Sequence, residues 1–264
     1  MKNKILLFFI IILFLLVIIY LWRVYNLKNI FKDNIYYKEE NYNRYELYKK
    51  LNKEKNIENI IKEVNLNLDY NFYENTMDAL NKDTNLVLVN KHYFLNKDDI
   101  PNDLVKFDYK FTSGIDVLIK SEVKDMFEKM SIDASLLGLC IKAISGYRSY
   151  EYQKKLYEDY LKDDPVNVVD TYSARPGYSE HQTGLAIDVY NEDDSYTDFG
   201  DTDEFKWLKD NAHNYGFIIR YTKENSYITG YKSEPWHIRY VGYDVSKYIY
   251  ENNISFEEYI LNKK

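Results

Sequence analysis

Eighteen consecutive apolar residues, Ile5 to Trp22, constrain this chain more than any other feature. As a helix rising 1.5 Å per residue, the run is about 27 Å long, close to a bilayer core of about 30 Å. A cleaved leader would carry a shorter apolar region and a small-residue cleavage site. Here the run ends in Ile19, Tyr20, Leu21, Trp22 and Arg23, and no Cys follows for lipid attachment. Residues 1–23 are therefore expected to form an uncleaved transmembrane anchor rather than a buried core helix. Charge does not orient it, because Lys2 and Lys4 are balanced by Arg23, Lys28 and Lys32.

Residues 24–55 are rich in Lys, Asn, Glu and Tyr and lack a sustained apolar rhythm, which predicts a polar stem. From Asn56 onward about 200 residues remain, enough for one sizeable core, so 56–264 is read as a single domain. Ile57, Ile60, Ile61 and Val64 recur at helical spacing, and Leu86 to Val89 reads as a short buried strand. Val117, Leu118, Val123, Met126, Phe127 and Met130 suggest one apolar helical face. Leu136 to Ile144 suggests a central strand leading into SGYRS. Helices are expected over Tyr150–Leu161 and Asp203–Tyr215, and strands over Phe217–Tyr221 and Trp236–Tyr240. Leu185, Ile187 and Val189 alternate with other residues, so Asp188 should face away from them. These elements predict an α+β fold with an antiparallel sheet flanked by helices.

A net charge of −7 argues against nucleic acid and against electrostatic capture of anionic polymers. The single cysteine, Cys140, lies in LLGLCIKAIS and cannot form an internal disulfide. It reads as a small buried residue with no His beside it to activate a thiolate. The 29 tyrosines are spread along the chain and read as a composition bias.

Of the four histidines, two fall in segments that also carry an acid at short spacing: His181 with Asp188 in SEHQTGLAID, and His237 with Glu234 in EPWH. Two His and one Asp fill three places of a catalytic site for one Zn²⁺ ion and leave a fourth for water, whose pKa the metal lowers to about 7. Glu234, three residues before His237, is free to act as general base. His92 and His213 have no such company and read as structural; His213 stands near a helix end, where a cation favours the dipole.

The runs SGYRSYEYQ (Ser145–Gln153), SEHQTGLAID (Ser179–Asp188) and TGYKSEPWHIRYVG (Thr229–Gly242) together resemble the VanY-type D-alanyl-D-alanine carboxypeptidases. These are zinc peptidases of the bacterial cell wall whose fold is shared with the Hedgehog signalling domain. The resemblance spans roughly Asn56 to Tyr250. It implies that His181, Asp188 and His237 bind zinc, that Glu234 is the catalytic base and that Arg148 stabilises the oxyanion. A guanidinium would stabilise that charge far more in a dry pocket than in water. Arg148 otherwise reads as a surface residue at a helix start, where the dipole disfavours a cation unless an anion accompanies it.

A carboxypeptidase must also hold its substrate's terminal carboxylate, for which Ser179 and Gln153 are the candidate donors. The implied substrate is a peptidoglycan stem peptide or precursor losing its terminal D-Ala. The alternatives are L,D-carboxypeptidase action on the tetrapeptide stem and a non-catalytic, zinc-containing peptidoglycan-binding module. A wall substrate lies outside the cell, so the chain is expected in the cell membrane as a single-pass monomer with its catalytic domain extracellular.

Overall fold

The computed structural model describes residues 2–191 and 196–262; the side chains of 2–5, 23, 24, 26, 27, 196 and 197 are also outside the described set. The chain divides into two compact units. One holds the residues up to Asp69 with the C-terminal segment from Leu261, and the other holds Tyr70–Ile260. The break thus falls beyond residue 69 rather than at 55.

The first unit is helical: α1 (Lys2–Lys32), α2 (Tyr42–Leu51) and α3 (Ile57–Asn65). Asn56 caps α3 by accepting from the Asn59 amide at 2.7 Å. The expected apolar face of α3, Ile60, Ile61 and Val64, buries itself against Phe31 and Tyr45. Those two rings give the supposed stem a core of its own, and α3 belongs with that unit. Arg44 ties the end of the unit down, its Nε donating to Asp69 Oδ2 at 2.9 Å and its Nη2 to the Val64 carbonyl at 2.9 Å. The described apolar side chains of α1 from Leu6 to Trp22 are exposed. Among the described residues no helix is long and apolar enough to cross a membrane. The side chains of Ile5 and Arg23, at the two ends of the expected anchor, lie outside the described residues.

The second unit is α+β. Two short pairs, β1 (Met77–Asp78) parallel to β2 (Tyr93–Phe94) and β3 (Leu104–Lys106) antiparallel to β4 (Leu118–Lys120), accompany a four-stranded sheet. Its strands are β5 (Lys142–Ser145), β6 (Ala186–Tyr190), β7 (Phe217–Tyr221) and β8 (Glu234–Tyr240), in the order β5-β6-β8-β7 and antiparallel throughout. The helices are α4 (Ser121–Ser135), α5 (Tyr150–Tyr160), α6 (Val166–Val169), α7 (Asp203–Asn211), α8 (Ser226–Thr229), α9 (Tyr243–Asn252) and α10 (Phe256–Leu261).

The core lies on one face of this sheet. Ile187 and Val189 of β6, Phe217 of β7 and Ile238 and Tyr240 of β8 pack against Val123, Phe127, Met130 and Ala134 of α4. Because side chains alternate across a strand, Asp188, His237, Arg220 and Arg239 share the opposite face.

Three expected elements differ. Val117 and Leu118 precede α4, Leu118 opening β4, so the apolar face read from Gly114 to Met130 is part extended and part helical. α4 runs to Ser135 and ends in a turn through Gly138, with Leu136 and Leu137 exposed. The strand that follows is only β5, and it is an edge strand. Leu86–Val89 forms no named strand: Val87, Leu88 and Val89 are buried, but Leu88 makes only an isolated bridge to Leu80, and the Val87 carbonyl accepts from Arg239 Nη2 at 2.9 Å. A side chain there takes the place of a ladder partner. Cys140 is half-buried, at the start of that edge strand's approach, rather than inside the core.

Phe127 is fully buried, with ring centroids 5.2 Å from Phe107 and 6.4 Å from Phe217. Truncating it leaves a cavity between helix and sheet. Phe127→Ala is expected to cost about 3–5 kcal/mol of unfolding free energy, as read from denaturant titration.

Candidate metal centre

The antiparallel pairing of β6 with β8 sets Asp188 directly opposite His237. Facing residues in such a ladder have Cβ atoms about 5 Å apart, so their side chains must meet. His237 Nδ1 lies 3.0 Å from Asp188 Oδ1.

His181 comes from a single 3₁₀ turn, Glu180–Thr183, which Gly184 ends at φ 65° before the chain enters β6. A Cβ on Gly184 would lie 2.9 Å from Leu104 Cδ2, so glycine answers both the backbone and the packing there. His181 Nδ1 is 2.6 Å from the Gly146 carbonyl, which can only accept; the proton therefore sits on Nδ1 and leaves the Nε2 lone pair free. That Nε2 is 3.2 Å from Asp188 Oδ2. Gly146 directly follows β5 with no room for a side chain, since a Cβ would meet the Leu118 carbonyl at 2.3 Å.

His181, Asp188 and His237 are all buried and offer donor atoms within 4.8 Å of one another. Two imidazole nitrogens and one carboxylate are a donor set that suits Zn²⁺, which displaces any ring proton on binding. Glu234 opens β8 three residues before His237, its Oε2 3.9 Å from His237 Nδ1 and outside the three-donor group. All seven residues singled out from sequence line one cavity of about 200 Å³: Arg148, Gln153, Ser179, His181, Asp188, Glu234 and His237. Arg148 lies between β5 and α5, whose cap Ser149 accepts from the Tyr152 amide at 3.1 Å. Its Nε donates to Ser145 Oγ at 2.8 Å and its Nη2 to Asp188 Oδ2. The anion that a cation at this helix start requires is Asp188.

Electrostatics separate the carboxylates. Burial raises the Asp188 pKa, but His181 and Arg148 outweigh it and hold Asp188 well below the usual carboxylate range. Burial pushes Glu234 up to about 7; Asp188 and Glu180 add to the rise, and His237 and Arg148 oppose it. Burial lowers His181. It also acts to lower His237, but the neighbouring carboxylates of Asp188 and Glu180 prevail and raise that ring to about 9. One acid is thus permanently charged while its neighbour can exchange a proton near neutrality, the split expected of a ligand and a general base.

Two expectations need correction in detail. Gln153 reaches the cavity, but its Nε2 donates to the Ala174 carbonyl at 2.8 Å and its Oε1 has no hydrogen-bond partner among the described residues. In this orientation its amide hydrogens are committed, and donation to a substrate carboxylate would need the amide turned over. His213 stacks on Tyr250 with ring centroids 3.7 Å apart, and burial lowers its pKa, so it is a neutral ring rather than a cation at a helix end. His92 is buried beside Phe72. Sequence reasoning passed over Glu180, which directly precedes His181, and Arg220 and Arg239. The available signal was an arginine flanked by apolar residues inside each of two strands, in IIRY of β7 and IRY of β8, which requires a buried acid.

The VanY D-alanyl-D-alanine carboxypeptidase family model matches residues 116–243, which contain all three motif runs. The putative carboxypeptidase YodJ of Bacillus subtilis (strain 168) is 40% identical over 185 residues, 68% of each chain. The chain belongs to the VanY family. Among solved structures, the LdcB LD-carboxypeptidase aligns with a TM-score of 0.67 and 38% identity, over 72% of this chain and 92% of its own. A variant of the vancomycin-resistance D,D-pentapeptidase VanY in complex with Zn(II) aligns with a TM-score of 0.58 and 27% identity, over 67% of this chain and 98% of its own. The α+β fold with its antiparallel sheet is therefore that of VanY and LdcB, and the buried His, Asp and His fit the metal carried by the VanY variant.

Purified protein should hold one zinc ion per chain after dialysis. Glu234→Gln should retain it and His237→Ala should lose it, as measured by elemental mass spectrometry.

Proposed function

We propose that this protein is a zinc-dependent D,D-carboxypeptidase that removes the terminal D-Ala from peptidoglycan stem peptides or their precursors. The observation that carries the reading is Glu234: a carboxylate with only 12% of its side chain exposed and its pKa pushed up to about 7 by burial, beside the three metal donors but outside their group. A purely structural zinc site uses four protein ligands and needs no such neighbour, which argues against a non-catalytic binding module.

His181, Asp188 and His237 would hold Zn²⁺, which when bound supplies a Lewis acid for the scissile carbonyl and lowers the pKa of water to about 7. Glu234 takes a proton from the attacking water as its oxygen adds to the carbonyl carbon. It returns that proton to the amide nitrogen as the carbon–nitrogen bond breaks and D-Ala leaves. Arg148 sets a positive charge on the cavity wall where the oxyanion develops. Ser179, buried on that wall with no capping bond of its own, has a hydroxyl to offer the substrate carboxylate.

A second reading is L,D-carboxypeptidase action on the tetrapeptide stem, favoured by the higher identity and TM-score toward LdcB. Mass-resolved digestion decides between them. Loss of one D-Ala from a stem pentapeptide, abolished by a chelator, supports the D,D reading. Loss only from the tetrapeptide moves the protein to the L,D class, and no cleavage of either contradicts both. Glu234→Ala should lower turnover by several orders of magnitude while leaving the metal in place, and a near-normal rate would contradict the general-base role.

The exposed apolar helix α1 supports a further part of this proposal: attachment to the cell membrane with the catalytic unit on the outer side, where wall substrate lies. Full-length protein should float with phospholipid vesicles in a density gradient, and a chain starting at Val24 should not.

A further inference from the structure

Glu180 has no part in the proposed chemistry, yet it is fully buried on the side of His237 away from Asp188. Its Oε1 accepts from Arg220 Nε at 2.8 Å and from Arg239 Nη1 at 2.9 Å. Its Oε2 lies 3.5 Å from His237 Nε2, and neither atom has a hydrogen-bond partner among the described residues. Glu180 cannot turn away, because both arginines are themselves fixed. Glu257 of α10 grips Arg220 through two bonds, at 2.9 and 2.6 Å, and Arg239 donates to the carbonyls of Tyr240, Asn85 and Val87. Two cations and two carboxylates balance, so the buried group carries no net charge that would draw in another ion.

His237 therefore stands between two carboxylates with different tasks. Its Nδ1 faces Asp188 and the cavity, and its Nε2 faces a carboxylate oxygen that can only accept. We propose that Glu180 is a positioning residue for the metal centre: it accepts the Nε2 hydrogen of His237 and so presents the Nδ1 lone pair to the zinc ion. This rests on the zinc reading above. A shift of about 0.5 Å at Nε2 brings the pair within ordinary hydrogen-bond range. His181 is held in the complementary way, with Nδ1 bound to the Gly146 carbonyl and Nε2 turned to the site. Each histidine ligand thus has its other nitrogen oriented by an acceptor, one a backbone carbonyl and one a carboxylate. A carboxylate acceptor strengthens the ligand more than a carbonyl does, and removing such a partner typically weakens metal binding about 10- to 100-fold.

The test uses the full chain, stripped with chelator and titrated with zinc against a chromophoric competitor. Glu180→Gln should weaken zinc binding about 10- to 100-fold, and Glu180→Asp, which keeps the charge, should recover part of that loss. Glu257→Gln unbalances the same Arg220 without touching His237, so it should lower the melting temperature yet leave the zinc affinity unchanged. An unaltered affinity in Glu180→Gln, or equal losses in Glu180→Gln and Glu257→Gln, would mean that Glu180 only neutralises arginine. If the variants fail to fold, the ring ¹⁵N resonances of His237 in the zinc-loaded wild type decide. A proton on Nε2 with Nδ1 bound to metal supports the proposal, and coordination through Nε2 overturns it. Wild-type protein that takes up no zinc would contradict the metal centre itself, whereas zinc-binding wild type with an unaltered Glu180→Gln contradicts only this inference.

Discussion

The register of β6 against β8 is the constraint on which the rest depends. It places Asp188 opposite His237 and Ile187 opposite Ile238, so one ladder supplies both the metal face and the core face. A slip of one residue would exchange the two faces, driving Asp188 and His237 into the packing of α4 and exposing Ile187 and Ile238. The core itself guards against that slip, because Phe127 and its neighbours accept only apolar side chains from the sheet. Hydrophobic burial thus fixes the chemistry at second hand. The helix sets the register, and the register sets the ligand distances.

The polar face is costly to bury, and its charges are paired throughout. Arg220 and Arg239 are fully buried, and Glu180 and Glu257 answer them. Such a group is weak evidence for stability, since apolar residues of similar volume can serve as well, but losing one partner costs about 3–5 kcal/mol. Burial alone would raise the Glu180 pKa; Arg220 and Arg239 more than offset this and keep it ionised well below the usual carboxylate range. Glu234, with no arginine of its own to pair with, is pushed the other way. Two glutamates beside the same metal donors thus differ in how readily they hold a proton, because Glu180 is bonded directly to two arginines whereas at Glu234 burial outweighs the opposing His237 and Arg148.

Much of this was legible from the residues. The alternation in LAIDV and WHIRY has period two, and a polar residue recurring inside an apolar strand announces a functional or paired face. The seven residues singled out from the three motif runs all lie on the wall of one cavity, together with others, Glu180 among them, that the runs did not single out. Legibility failed where tertiary contacts replaced local pattern. Leu86–Val89 is apolar enough for a strand, but the carbonyls of Val87 and of Asn85 just before the segment are taken by Arg239, a partner more than 150 positions away. The segment 24–55 shows little rhythm because its core is built from two aromatic residues, Phe31 and Tyr45, and completed by α3. Glu180 was hidden for a similar reason: it reads as a charged residue beside a ligand, and only the fold reveals the two arginines that bury it.

The most direct test of the metal centre is a crystal of zinc-loaded protein measured on both sides of the zinc absorption edge. The account predicts one anomalous peak, about 2.0–2.2 Å from His181 Nε2, from a carboxylate oxygen of Asp188 and from His237 Nδ1, with Glu234 beyond bonding distance. A peak bound by Glu234 in place of Asp188, or no peak in this cavity, would contradict it.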